Sequence, residues 1–266
     1  EQITDLASAG AGAVVASTRR GVSSVARDGE VRTTLDFGAK TIVSTALLPN
    51  GRAVSVGTNR RIVGWRLDGD KFEWEATAQS MAFGVFEWTA TAALVLQRGR
   101  ESLVCQWGGT CEEMRGVRGY VVAKYGDLAV IGTGDRAIVG FRAGKQIWRS
   151  EPLSDAPVAT AISPDLKLVA AGTNDGRVWI ADAATGEVVA TNMSTAGVPT
   201  AITFLSPSLI SIGTDNGQRA IVAVDGTIVG RFDGESAVKL LHTAGDKLIW
   251  VTADSAGTMV PESYEP

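Results

Sequence analysis

Arginine recurs at one kind of place in this chain. It stands in the polar breaks that follow an apolar run: Arg19 and Arg20 in TRRG, Arg60 and Arg61 in TNRR, Arg98 and Arg100 in QRGR, Arg136 in TGDR, Arg177 in TNDGR and Arg219 in TDNGQR. Guanidinium groups gathered on one face bind carboxylate or phosphate with two parallel hydrogen bonds. The series therefore offers a docking surface for an acidic peptide, a phosphate-bearing ligand or a nucleic acid. A second reading stands beside it. Arginine is a well-solvated residue at a strand start, and Asp135, Asp175 and Asp215 share three of the turns and dilute the field.

Other chemistry is sparse. His242 is the only histidine and lies in an apolar run, so it cannot supply a multi-histidine metal site and reads as a packed side chain. There is no Gly-x-Ser-x-Gly elbow and no Gly-x-x-x-x-Gly-Lys phosphate loop. No catalytic residue, metal site or cofactor is expected. Cys105 and Cys111, in LVCQWGGTCEEM, are the only cysteines. They form either a disulfide across a hairpin, which needs an oxidising compartment, or two thiols in neighbouring strands.

The elements that must position these residues follow from composition and repetition. The chain has 266 residues, 45% hydrophobic and 20% charged, with a net charge of −4. That allows a sizeable core and argues against a strongly basic nucleic-acid binder. No run approaches the roughly 18 apolar residues of a membrane helix. The start, EQITDLASAGAGAVVAS, lacks the basic residues of an export signal and an initiator Met, so the chain reads as a processed product or a piece of something longer. The compartment stays open between cytoplasm and, with an oxidised cysteine pair, export.

The segment PVATAISPDLKLVAAGTNDGRVWIADAATGEVVATN holds four short apolar runs, here a to d, separated by turn-forming SPDL, NDG and AATG. The order returns along the whole chain. A threonine closes the b run at Thr18, Thr58, Thr133, Thr173 and Thr214, with spacings of 40, 75, 40 and 41, and the wide gap holds one unmarked unit with a degraded turn. Seven units of about 40 residues are the period of a four-stranded propeller blade. The expected fold is all-β: a single domain over 1–266, a seven-bladed β-propeller with blades near 2–36, 41–77, 79–115, 116–151, 157–192, 198–233 and 236–266. The last unit ends in its c run, which predicts a three-stranded last blade with an open edge that Pro261 partly blunts. Trp65, Trp148, Trp179 and Trp250 fall in strand runs and read as packing between blades, whereas Trp107 lies in a turn and is expected to be more exposed.

In such a blade the b–c turns share a face with the d–a links, so the arginines form a broken ring there. The opposite c–d turns, RDGE, LDGDK, ADAATGE and VDGT, are richer in acid. The fifth unit resembles a WD-repeat blade through Thr173, Asp175, Gly176, Trp179, Asp182 and Thr185-Gly186. It departs from that pattern in having no Trp-Asp and no Gly-His dipeptide, and quinoprotein-like and lactonase-like propellers are the other relatives to consider. The resemblance implies a non-catalytic scaffold that binds other proteins within a larger assembly. The alternatives are an RNA- or ribosome-associated propeller using the arginine face and, more weakly, a quinoprotein- or lactonase-like enzyme.

Overall fold

The computed structural model describes residues 3–9, 13–18, 21–25, 31–38, 41–194, 197–244, 247–252 and 255–259. Every regular element among them is a strand, and the strands form seven antiparallel sheets in which sequence neighbours pair. The first sheet holds β1 (Ile3–Ala9), β2 (Ala13–Thr18), β3 (Gly21–Val25) and β4 (Val31–Asp36). The second holds β5 (Ile42–Leu48), β6 (Arg52–Gly57), β7 (Arg61–Arg66) and β8 (Phe72–Thr77). The third holds β9 (Ala82–Thr89), β10 (Ala92–Gln97), β11 (Leu103–Gln106) and β12 (Cys111–Glu113). These three sheets belong to one compact unit, residues 1–119.

The second unit, residues 120–266, carries the other four. They are β13 (Gly119–Tyr125), β14 (Leu128–Thr133), β15 (Ile138–Arg142) and β16 (Lys145–Arg149); β17 (Pro157–Ile162), β18 (Leu168–Thr173), β19 (Arg177–Asp182) and β20 (Val188–Ser194); β21 (Pro199–Ser206), β22 (Leu209–Thr214), β23 (Arg219–Ala223) and β24 (Ile228–Phe232); and β25 (Val238–Ala244), β26 (Lys247–Thr252) and β27 (Ala256–Met259). This is the blade series of a seven-bladed β-propeller with three strands in the last sheet. β1 pairs with β2 in the first sheet and gives no fourth strand to the last. Pro261 lies outside the described residues.

Burial follows strand position. The second strands β10 and β14 are buried at all six positions, whereas the outer strand β16 buries only Trp148. A strand covered on both faces has no solvent side, which is why AALVLQ and LAVIGT read as continuous apolar runs rather than alternating ones. The covering comes from the next blade. Val22 and Leu35 pack with Ile42, Val63 and Trp65; Val54, Ile62 and Trp74 pack with Val85, Ala93 and Leu103. In the second unit Leu128, Ile138 and Trp148 pack with Val169 and Trp179, and Val178 and Ile180 pack with Ile202, Phe204 and Ile210. Each large side chain sealed this way contributes roughly 1.5–3 kcal/mol.

The glycine that precedes the recurring threonine has a definite task. A Cβ at Gly132 would stand 2.7 Å from the Pro157 Cβ, at Gly172 2.6 Å from the Pro199 Cβ, and at Gly213 2.5 Å from Val238 Cγ1. Each of these obstacles is the residue that opens the following blade, and at Gly132 Val121 Cγ1 of the same blade stands equally close at 2.7 Å. Replacing Gly172 with alanine is expected to cost about 1–3 kcal/mol by forcing the β18–β21 seam apart, read as a lower urea midpoint. Gly69, where an added Cβ meets nothing closer than 3.4 Å, is the control and should lose less than about 0.5 kcal/mol on the same change.

Candidate functional site

The b–c turns and the links between blades are hydrogen-bonded to each other at one end of each sheet. The first residue of the turn donates to the link that enters its blade: Thr58 to Thr41 at 2.9 Å, Arg98 to Met81 at 2.9 Å, Asn174 to Ala156 at 3.0 Å and Asp215 to Val198 at 2.9 Å. The link that leaves the blade closes the other side, with Ala78 N–H on the Arg60 carbonyl at 2.8 Å and Leu153 N–H on that of Arg136 at 2.7 Å. Side chains on these turns are therefore mounted on bonded loops.

The threonines explain the turn. Thr133, Thr173 and Thr214 are buried, and each hydroxyl donates to the side chain two residues on, Asp135 at 2.6 Å, Asp175 at 2.6 Å and Asn216 at 2.5 Å. A backbone bond from the third residue after each threonine, Arg136, Gly176 or Gly217, closes the turn on its carbonyl. In the second blade that carbonyl belongs to Gly57, so Thr58 sits one place past the equivalent position and is exposed. Partial burial opposes ionisation of Asp135, but the Thr133 hydroxyl and the Arg149 guanidinium outweigh it and hold the carboxyl below its ordinary value. The Thr173 hydroxyl does the same for Asp175, aided by Ser154 and Arg177.

The arginines divide into two groups. Arg61 is committed: its guanidinium forks onto Glu75 at 2.8 Å, donates to the Phe37 carbonyl at 3.0 Å, and lies 5.2 Å from the Phe37 ring and 5.1 Å from that of Phe72. Arg177 pairs with Asp175 at 3.4 Å, and Arg136 reaches the Ser154 carbonyl at 3.5 Å. Arg219 lies 4.2 Å over the Trp250 ring with its Nε buried and unbonded. Arg60, Arg98 and Arg100 are exposed and make no ion pair with a described residue. Arg19 and Arg20 lie outside the described residues, as does the side chain of His242. Among the described residues no group of three or more metal-ligating side chains occurs.

Two residues at this end were not signalled by the repeat. Arg115 and Arg118 lie in the link between β12 and β13 and are exposed. They share the end with Arg98 and Arg100 because Ser102 bonds to the link through Met114 and Val117, each at 2.8 Å. At the opposite end of that blade Cys105 faces Cys111, and the sulfurs are bonded. Trp107 is half-buried, edge-on to Trp74 at 5.9 Å and under Arg52 at 4.9 Å. Trp148 donates to the Ala183 carbonyl of the next blade at 2.9 Å, and Trp179 packs into the same seam.

No protein-family model matches the chain, and no curated protein does. Solved structures match its fold. Sqt1 of Saccharomyces cerevisiae superposes with a TM-score of 0.83 at 13% identity, over 100% of this chain and 84% of that one. The computationally designed Ika8 protein gives 0.82 at 16% identity, over 98% and 84%. The β-propeller domain of Cps50 (Swd1), recorded as from Myceliophteria thermophila, gives 0.70 at 11% identity, over 94% of each chain. At these identities the likeness is one of fold.

Two outcomes follow from the turns and the cysteines. Thr173→Val removes the hydroxyl that favours the Asp175 carboxylate and should cost about 1 kcal/mol at neutral pH. A carboxyl held below its ordinary value stabilises the fold above the ordinary aspartate range, and that contribution is lost as pH falls through the folded value. The urea midpoint of the unaltered chain should therefore fall more between about pH 5 and about pH 2.5 than that of the valine variant. For the cysteines, thiol blocking followed by mass measurement should add label only after reduction. Reduction itself should lower stability by about 2 kcal/mol, since the bond closes a short loop.

Proposed function

We propose that this propeller is a non-catalytic interaction platform that holds partner proteins within a larger assembly. The observation that supports the reading is the turn-bearing end of the blades, where hydrogen-bonded loops present guanidinium groups to solvent. The proposed face comprises Arg19, Arg20, Arg60, Arg61, Arg98, Arg100, Arg136, Arg177 and Arg219, with Arg60, Arg98 and Arg100 as the donors not engaged by an ion pair within the described residues. The partner it suits is a protein with an acidic surface or peptide. No described helix is long and apolar enough to cross a membrane.

Affinity capture from the native source, with and without nuclease, tests this. The expected result is a small set of proteins retained at stoichiometric levels and unaffected by nuclease. Retention of RNA alone, or of proteins that all disappear on nuclease treatment, would instead favour a binder of anionic polymers, whose affinity falls with salt at a log–log slope of about −0.7 per neutralised phosphate of a single strand.

A further inference from the structure

The third blade's turn departs from those of the fourth, fifth and sixth blades. Where Thr133, Thr173 and Thr214 hold a turn through an Asp or Asn, the third blade has Gln97. Its buried amide does the work by other bonds, donating to the Glu101 carbonyl at 2.8 Å and accepting from Ser80 N–H at 3.1 Å. No aspartate is needed in the turn, and none is present in QRGRES. The turn that keeps two arginines thus has no counterpart of Asp175, which pairs with Arg177 of its own turn, or of Asp135, which pairs with Arg149 on β16.

Four exposed arginines result on one blade end. Arg98 and Arg100 come from the turn, and Arg115 and Arg118 from the link bonded to it through Ser102, whose Oγ also accepts from Gly119 N–H at 3.1 Å. The acid closest along the chain, Glu101, is engaged as acceptor of Gly116 N–H at 2.8 Å. Glu112 and Glu113 on β12 make no ion pair with any of the four. A fifth arginine joins from the second blade. The short link 78–81 bonds to Arg60 at one end, through Ala78 N–H, and to Arg98 at the other, through the Met81 carbonyl and the Ser80 hydroxyl, which donates to the Arg98 carbonyl at 2.8 Å. Arg60 holds a left-handed backbone, φ 68°, as Arg136 does at φ 67° in the equivalent turn of the fourth blade, where Gly176 and Gly217 stand at φ 83° and 88° in two others. A side chain in that conformation costs about 1–2 kcal/mol against glycine.

We infer that Arg60, Arg98, Arg100, Arg115 and Arg118 form a docking site for a carboxylate-rich peptide segment of a partner protein. The inference rests on the platform reading above and assigns it a place and a partner chemistry. The five guanidinium groups make no ion pair within the described residues, and a run of carboxylates engages such groups with charge-assisted, bidentate bonds. A peptide suits the site better than a nucleic acid. The equivalent turns of three consecutive blades in the second unit each carry an aspartate, Asp135, Asp175 and Asp215, and the whole chain is acidic at −4. A short acidic peptide needs only the five arginines of the first unit.

The test uses the full chain and a short fluorescent peptide of alternating glutamate and glycine, read by anisotropy at low ionic strength. The unaltered protein should bind it, and Arg98→Glu with Arg115→Glu should weaken binding by about tenfold or more. Arg231→Glu, an exposed arginine on β24, should change it by less than about twofold. An Arg98→Gln, Arg115→Gln pair with an unchanged melting temperature guards against a folding defect and should weaken binding in the same direction. No binding by the unaltered chain, or equal loss in the Arg231 variant, overturns the site. Tighter binding of an oligothymidylate with the same sensitivity overturns the peptide assignment in favour of nucleic acid. If native partners are captured equally by the unaltered chain and the Arg98, Arg115 variants, this site falls while the platform stands. If no form captures protein, the platform reading falls, and peptide binding is judged separately.

Discussion

The close approach of one blade's opening residue to the last glycine of the preceding blade's second strand underlies the rest of the second unit. Pro157 over Gly132, Pro199 over Gly172 and Val238 over Gly213 all occupy space that any larger side chain would take. With that approach made, the two sheets meet along their middle strands, and side chains such as Ile180 and Ile210 are sealed between them. The same approach brings the entering link to the b–c turn, where Asn174 and Asp215 can donate to it. One backbone clearance thus joins packing to turn position. The first unit makes a related contact, with the Phe37 ring of the entering link filling the space beside Gly57.

That constraint explains why so much of the fold was legible in the sequence. The Gly-Thr pair marks the blade because glycine admits the neighbour and threonine closes the turn. Continuous apolar b runs followed by turn residues gave strand order without any helical competitor. What the spacing misplaced was small: Thr58 looks equivalent to Thr133 by count, but the second blade closes its turn on Gly57. What it missed was more consequential. Arg115 and Arg118 carry no repeat signature, and their proximity to Arg98 depends on the hydrogen bonds of Ser102, which couple segments far apart in the repeat.

Equivalent arginines in the repeat have unequal surroundings, and local acids decide the difference. Arg61 has a bidentate carboxylate, a carbonyl and two aromatic rings, so its charge belongs to the structure of the second blade. Its neighbour Arg60 has none of these partners within the described residues. Exposed ion pairs such as Arg177 with Asp175 contribute only about 0–1 kcal/mol to stability, but they cancel charge that a distant anion would otherwise feel. Counting arginines along a repeat therefore overstates the field; counting those that lack an acid gives its source.

A repeat that serves packing holds its turn in the cheapest way available, here a threonine bonded to an Asp or Asn. The third blade reaches the same closed geometry through a buried glutamine, whose amide needs two partners and finds them in Glu101 and Ser80. Nothing in the packing of β10 calls for that exchange, since β14 is buried at all six positions with a threonine in the corresponding place. Its chemical consequence is a turn that lacks an aspartate at the place of Asp135 and Asp175 and whose one acid, Glu101, is bonded to Gly116 N–H and pairs with neither arginine. Together with Arg60 in a backbone conformation that glycine adopts more easily, it concentrates unpaired positive charge on the blades joined by the link 78–81. The proposed docking site draws on the charge that these two features leave without an ion pair.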